Sequence, residues 1–235
     1  MKTNQSGRSM IEMLGVLAII GVLSVGGIAG YSKAMSKYRT NKSIDQVSML
    51  ITNVRTMYAQ QQNYTNLNNV LAIDMGVVPE EMIVAGLNND SPNKLRNIFS
   101  GQVFVSESTI DTDDSGEVDT TSADKNAFVI TFYGLSRDAC VSMATSDWGA
   151  GSSSGLVGLH VFDYRGAASS TTDTVIQSVG KFTDGSLTSA ENSADEGAVA
   201  IPGDTTYKVP LTVDQARAAC ACPTKTTCAI SWKYF

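Results

Sequence analysis

The run MLGVLAIIGVLSVGGIAG, from Met13 to Gly30, constrains this chain more than any other stretch of it. It carries no charge and no proline, and about 18 apolar residues suffice for a helix that crosses the hydrocarbon core of a bilayer. Glu12 stands alone at its mouth. A cleaved secretory signal would combine a basic start and an apolar core with a change of texture after a small-residue cleavage site. Here the texture does not change. YSKAMSKYRTNKSIDQVSMLITNVRTMYAQQQ follows directly, and within it Ile44, Val47, Ile51, Val54 and Tyr58 recur at spacings of three and four, which makes one apolar stripe on a helix. No proline occurs before Pro79. The pattern predicts one helix from about Ser9 to Gln62, roughly 80 Å long at about 1.5 Å per residue. Its first half is apolar on every side and its second half is amphipathic.

Composition narrows what the rest can be. Of the 235 residues, 43% are hydrophobic, enough for one globular domain with an appendage. Seventeen Lys and Arg against 23 Asp and Glu give a net charge of -6, the wrong sign for a nucleic-acid binder, which needs a basic face. Only 17% of residues are charged, and Ser, Thr, Gly and Asn supply much of the polar remainder, a surface suited to a secreted protein. Four Cys and one His leave little material for a metal cage or a catalytic dyad.

The body begins near Asn63. Asn68, Asn69, Gly76, Pro79, Asn88, Asn89 and Pro92 punctuate a turn-rich stretch to Asn97, with a helical turn expected over Pro79 to Ala85. GQVFVSES, NAFVITFYG, GLVGLHVFDY and AISWKYF read as strands, being β-branched or aromatic and bounded by Gly, Ser or Asp. Ser136 caps a helix over RDACVSMATSDW, and Thr212 one over VDQARAAC. Gly166 to Asn192 is rich in Ser and Thr, with only Val175 to Phe182 expected to pair as strand. The fold class is α+β, an antiparallel sheet packed on the second half of the long helix.

Several local patterns carry chemistry, each with a plainer reading. GSSSG formally matches a nucleophile elbow around Ser153, but no strand feeds it and it reads as a loop. His160, inside GLVGLHVFDY, reads as a sheet residue rather than a base. Cys220, Cys222 and Cys228 lack the paired spacing of a structural zinc site; four cysteines in one exported domain read as two disulfides, for which three connectivities exist. In DTDDSGEVD, the residues Asp111, Asp113, Ser115, Glu117 and Asp119 surround Gly116 as in the first nine positions of a calcium loop. Ser122 stands where a bidentate Glu would complete it, so a solvated acidic turn and a weak calcium site both stay open. No other cofactor is expected. Gly26 and Gly30 form a small-xxx-small pair that permits close helix approach or marks a flexible point. Asn63, Tyr64 and Thr65 spell a glycosylation sequon by letters only.

The segment Gly7, Arg8, Ser9, Met10, Ile11, Glu12, followed by the apolar run, resembles the class III signal of type IV pilins and related pseudopilins. That resemblance implies a leader over 1–7, cut after Gly7 by a prepilin peptidase on the cytoplasmic side, and a mature chain that begins at Arg8 with Glu12 as its fifth residue. Arg8 stands where many members carry an apolar residue. The order NIFSGQVFV, FVITFYGLSRDAC, a closing helix to Cys220 and a last strand is similar to type IVb pilins of the toxin-coregulated and conjugative thin-pilus type. In those proteins a disulfide ties the middle helix to the C-terminal segment. The pairing implied here is Cys140 with Cys220, which leaves Cys222 and Cys228, an additional pair, to close a short local loop. The division implied is a leader over 1–7, a helix over 8–62 with its membrane or filament-core half over 8–33 and its amphipathic half over 34–62, and a head over 63–235.

Flanking charge runs against the expected orientation. Lys2 and Arg8 precede the span, whereas Lys33, Lys37, Arg39 and Lys42 follow it, and counting them alone would put the C-terminus inside. The cysteines and the leader outweigh that count and place the C-terminal domain in the periplasm. The function implied is structural and not enzymatic. A subunit waits in the inner membrane, is processed by the peptidase and is polymerised with copies of itself, by a pilus assembly machinery, into an extracellular filament. Glu12 and the Arg8 terminus would pair as subunits dock. A minor pilin or type II secretion pseudopilin is the alternative within the class. A membrane-anchored periplasmic enzyme or binding module is the alternative outside it, and it requires an uncleaved anchor and a pocket chemistry the sequence does not display.

Overall fold

A stretch without proline and with an apolar residue at nearly every helical turn forms one helix, α1 (Arg8–Tyr58). The computed structural model describes residues 8–61, 63–91, 93–110, 122–149, 154–164, 181–183, 186–188, 198–200, 209–222 and 227–235. The helix ends short of the expected Gln62 because the Gln61 amide donates to the Tyr58 carbonyl at 2.9 Å, a three-residue closure that breaks the α pattern. Two units are distinct, one through Arg39 and one over Thr40–Phe235. The second unit starts inside the helix because burial starts there: Thr40, Ser43, Gln46 and Val47 are all buried.

In that unit α1 is followed by α2 (Asn69–Asp74), a 3-10 turn (Glu80–Met82), β1 (Val103–Ser108), β2 (Ala127–Leu135), α3 (Arg137–Ala144) and β3 (Leu156–Tyr164). Then come β4 (Lys181–Thr183), β5 (Ser186–Thr188), β6 (Ala198–Ala200), α4 (Val213–Ala219) and β7 (Thr227–Tyr234). The main sheet runs β1-β2-β7-β3-β6, antiparallel throughout. Its centre is β7, with Ile130↔Trp232 on one side and Leu159↔Trp232 on the other. Alternation puts Val103, Val105, Phe128, Ile130, Phe132, Leu159, Val161, Ile230, Trp232 and Tyr234 in the principal core, with Val47, Leu50, Val54 and Tyr58 of α1. Leu50, outside the expected stripe, is fully buried, whereas Ile44 and Ile51 flank the core half-buried. The opposite face of the sheet holds a smaller cluster of Phe104, Val129, Tyr133, Phe162 and Ala229.

Three elements depart from expectation. The turn-rich stretch contains α2, whose N-terminus is capped by the Asn68 carboxamide accepting from the Leu71 amide at 3.0 Å. Next to the cap, buried Asn69 donates to the Val103 carbonyl at 2.9 Å and accepts from the Val105 amide at 2.7 Å. One side chain thus serves as a strand partner for the edge of β1. Helix α3 stops before Trp148, because Thr145 and Ser146 turn their hydroxyls back onto Val141 and Ser142 carbonyls and the Trp148 indole donates to Met143 O at 2.7 Å. Of the expected strand over Val175 to Phe182, only its end falls within the described residues. There Phe182 pairs with Leu187 in a β4–β5 hairpin, and the short β6, which no signal announced, pairs with β3.

Thr212 and Gln215 form a reciprocal capping box at the start of α4, and Ser136 caps α3 through the Ala139 amide. These two helices are joined by the Cys140–Cys220 disulfide, and Cys222–Cys228 closes the approach to β7. Where the β2–β7 register shifts between Phe132 and Leu135, Gly134 has φ +73 and lies against Gly101. A Cβ on Gly101 would meet Tyr133 O at 1.7 Å, so glycine is required for this approach.

Two outcomes follow from this packing. The large disulfide loop spans 80 residues, and the chain-entropy relation assigns such a loop roughly 4 kcal/mol. Chemical denaturation of a Cys140→Ala, Cys220→Ala double variant is expected to show a loss of that order, against a smaller loss for the pair at 222 and 228. Lys233 is fully buried on the smaller-cluster side of β7, its Nζ without a hydrogen bond among the described residues, and burial pushes its pKa down to about 8. Because the folded value lies below the unfolded one, the charged amine destabilises the fold fully below pH 8, and the penalty fades as pH rises toward the unfolded value near 10.4. Lys233→Met, which fills a similar volume, is expected to be more stable at pH 7 by on the order of 3 kcal/mol, an advantage that falls to on the order of 1 kcal/mol by pH 9.5. Equal stabilities of the two chains at both pH values would contradict this.

Candidate functional site

The first half of α1 owes its helical form to a sequence with no breaker stronger than glycine, yet its side chains pack on nothing among the described residues. From Met10 to Ile28, twelve large apolar side chains are between 52% and 76% exposed. They occur on every side of the helix, so no rotation hides them. Leaving such side chains in water forfeits about 1.5–3 kcal/mol each, on the order of 20 kcal/mol for the segment. That exceeds the whole stability of an ordinary domain, about 5–15 kcal/mol. The segment is long and apolar enough to cross a membrane. Its chemistry therefore demands an apolar surrounding, either lipid or other helices of the same kind.

Glu12 is exposed in the second turn of α1, with no basic partner among the described residues. Arg8 begins the helix, and Gly7 lies outside the described residues. Gly26 and Gly30 sit four residues apart on one face, and a Cβ at either would meet nothing within 4 Å. Their small surface is thus open to a neighbouring helix.

In the body, the structure brings all four cysteines to one end of the principal core. Cys140 on α3, Cys220 at the C-cap of α4 and Cys228 on β7 are fully buried, and Leu211 N donates to Ala144 O at 3.2 Å beside them. His160 is buried in β3 opposite Ser231, its ring 4.9 Å from Phe162, a sheet position closed to solvent. Asp111, Asp113, Ser115, Glu117 and Asp119, with Ser153, lie outside the described residues. Among the described residues no group of three metal-ligating side chains comes together. Asn63 bonds its own turn, accepting from the Thr65 amide at 3.3 Å.

Sequence reasoning missed a polar junction between α1 and the segment that carries the 3-10 turn. Lys42 Nζ lies 2.8 Å from Glu81 Oε1, and buried Gln46 donates to the same oxygen at 3.2 Å while accepting from the Ile98 amide at 3.3 Å. The Lys42 hydrogen bond holds the Glu81 carboxyl below its usual range. The separation of 35 residues between Gln46 and Glu81 left no local signal. Arg55 likewise reaches across the chain, donating to Phe235 O at 3.1 Å with its guanidinium 4.8 Å from the Tyr234 ring.

Comparison with known proteins finds relatives among pilus subunits. The major structural subunit of bundle-forming pilus from Escherichia coli O127:H6 is 24% identical over 149 residues, 63% of this chain and 68% of the relative. The toxin coregulated pilin of Vibrio cholerae serotype O1 is 26% identical over 148 residues, 62% of this chain and 59% of the relative. Among solved structures, a type IV b pilin from Salmonella typhi aligns with a TM-score of 0.46 at 19% identity, covering 83% of this chain and 98% of the other. TcpA, a type IV pilin from the El Tor biotype of Vibrio cholerae, gives 0.44 at 17%, covering 84% and 99%. Residues 32–234, most of the chain, match the family model for bundlin, and the chain belongs to the bundlin family.

Proposed function

We propose that this chain is the structural subunit of a type IVb-like pilus, stored in the inner membrane and polymerised into an extracellular filament. One observation carries the reading: a helix whose first half is apolar on every side and exposed continues into a folded, disulfide-bonded body. Membrane residence covers the apolar half with lipid, and assembly replaces lipid by the same segment of neighbouring copies. The transfer is between two apolar surroundings, so packing and pairing decide it rather than hydrophobic burial. The relatives are named as pilus subunits, which supports a structural role over an enzymatic one.

Before assembly, the chain is cut after Gly7 by a prepilin peptidase and sits with its disulfide-bearing body in the periplasm, an oxidising compartment. A pilus assembly machinery then draws it into the filament. Glu12 supplies direction to this step. A carboxylate at the centre of a bilayer costs about 2.5–3.5 kcal/mol on insertion scales, and less near the interface. Its partner is the new amine of Arg8 on a neighbouring copy, with the Arg8 guanidinium as a second, bidentate donor. Favourable placement of a negative charge in the first turns of a helix, about 0.3–1 kcal/mol, adds to this without setting the register between subunits.

Glu12→Ala is expected to leave insertion and cleavage intact and to reduce sheared filament yield sharply, while mass spectrometry of wild-type filaments finds a mature chain beginning at Arg8. Normal filament amounts from cells that make only the Glu12→Ala chain would remove Glu12 from the mechanism. Filaments that lack this chain altogether would refute the structural role.

A further inference from the structure

The uncharged stretch between Glu12 and Lys33 runs from Met13 to Ser32, and 20 helical residues at about 1.5 Å each span about 30 Å, the thickness of a bilayer's hydrocarbon core. Tyr31 near the end of that stretch and Lys33, Lys37, Tyr38 and Arg39 just beyond it are all exposed and all still on α1. Lys37 lies about 6 Å and Arg39 about 9 Å beyond Lys33 along the axis. With the span centred in the core, these cations stand in the headgroup layer on the side of the body, and Arg39 can lean back into it along its own side chain.

Their angular placement separates a bilayer from a protein partner. At 100° per residue, Tyr31 and Tyr38 share one side of the helix, Lys33 and Lys37 take the opposite side, and Arg39 points between them. A protein docks on one face, whereas a bilayer surrounds the helix. Among the described residues none of the three cations has a carboxylate partner; the nearby pair is formed by the next cation along, Lys42, with Glu81. Aromatic rings with basic side chains at the end of an apolar span match the chemistry of an interface. The same cations on the far side of the membrane oppose the rule that favours basic residues inside, so retaining them there calls for a positive use.

We propose that Tyr31, Lys33, Lys37 and Arg39 form a collar that binds anionic phospholipid headgroups on the body side of the membrane. The proposal rests on membrane storage of the subunit before assembly. The collar fixes the depth of the span and gathers acidic lipid around the waiting chain. Because the contact is ionic, it weakens with salt and is surrendered when the helix leaves the bilayer.

The test uses the full-length chain reconstituted in phosphatidylcholine vesicles that contain trace spin-labelled phosphatidylglycerol or phosphatidylcholine. The motionally restricted lipid around the chain is read by electron spin resonance. The expected result is about fivefold or greater selection of phosphatidylglycerol, lost in 1 M salt, where screening falls to about 3 Å. The Lys33→Gln, Lys37→Gln, Arg39→Gln chain, which keeps Lys2 and Arg8, is expected to approach parity, and Lys33→Arg with Lys37→Arg to keep the selection. Parity in the wild type, or undiminished selection in the glutamine variant, would overturn the collar. Unchanged lipid selection with reduced filament yield would assign these residues to contacts between copies and overturn it as well. Insertion is scored separately by protease protection of the span. A chain that inserts without lipid preference sinks the collar alone, and a chain that does not insert sinks the membrane-storage reading with it.

Discussion

The body is held on α1 chiefly by apolar packing, the stripe of Val47, Leu50, Val54 and Tyr58 in one core with the sheet face centred on Trp232. At about 1.5–3 kcal/mol for each large apolar side chain buried, the four contribute on the order of 10 kcal/mol, comparable to the net stability of a whole domain. Aromatic packing extends the contact through the core. Tyr64 lies 5.2 Å from Tyr58 and 4.8 Å from Phe128, and Phe128 stacks on Tyr234 at 5.8 Å. Trp232 meets Phe132 at 5.8 Å and Trp148 at 5.0 Å. Remove the stripe and the inner face of the sheet becomes an exposed apolar surface, so the body cannot be separated from the second half of the helix that supports it.

One helix thus carries two patterns with opposite demands. Over Thr40 to Tyr58 most of the apolar residues keep to one side, with Met49 and Met57 exposed, and Asp45, Ser48, Thr52 and Thr56 face water; burial against the sheet satisfies that pattern within one chain. Over Met10 to Ile28 apolar residues occupy every side, and the described residues leave them exposed. The same backbone geometry therefore yields a self-contained fold in one unit and an unmet need for apolar surroundings in the other. That imbalance calls for lipid or other helices around the first half of α1.

The parts of this arrangement that were legible in the sequence are those written in local periodicity. The β-branched and aromatic run in NAFVITFYG and the spacings of three and four after Ile44 depend only on neighbours along the chain, as do the caps at Ser136 and Thr212. The unreadable parts depend on distant partners. Asn69 looked like turn punctuation because its role, completing the edge of β1, exists only once Val103 and Val105 arrive. Leu50 was missed because a stripe drawn through Ile51 is equally periodic, and only the position of the sheet decides between adjacent residues. Strand β6 is three residues of Ala and Val whose pairing is set by the edge of β3. At the candidate site, Glu12 and the apolar run were legible because charge and its absence are local properties. The Lys42–Glu81 junction was not, since it joins elements far apart in sequence.

Strand order adds a constraint that no local pattern contains. β7, the last strand, lies between β2 and β3, which do not pair with each other. The sheet is therefore two separate pieces, β1-β2 and β3-β6, until the last strand arrives between them. Such non-local pairing is slow because loop-closure entropy is lost before the contacts compensate for it. Both disulfides lie on this route: Cys140–Cys220 joins α3, which follows β2, to the end of α4, and Cys222–Cys228 joins the next turn to β7 itself. Each link shortens the search by which the central strand finds its slot. The cysteines thus act on the element that unites the sheet, and through the sheet on the face that holds the helix.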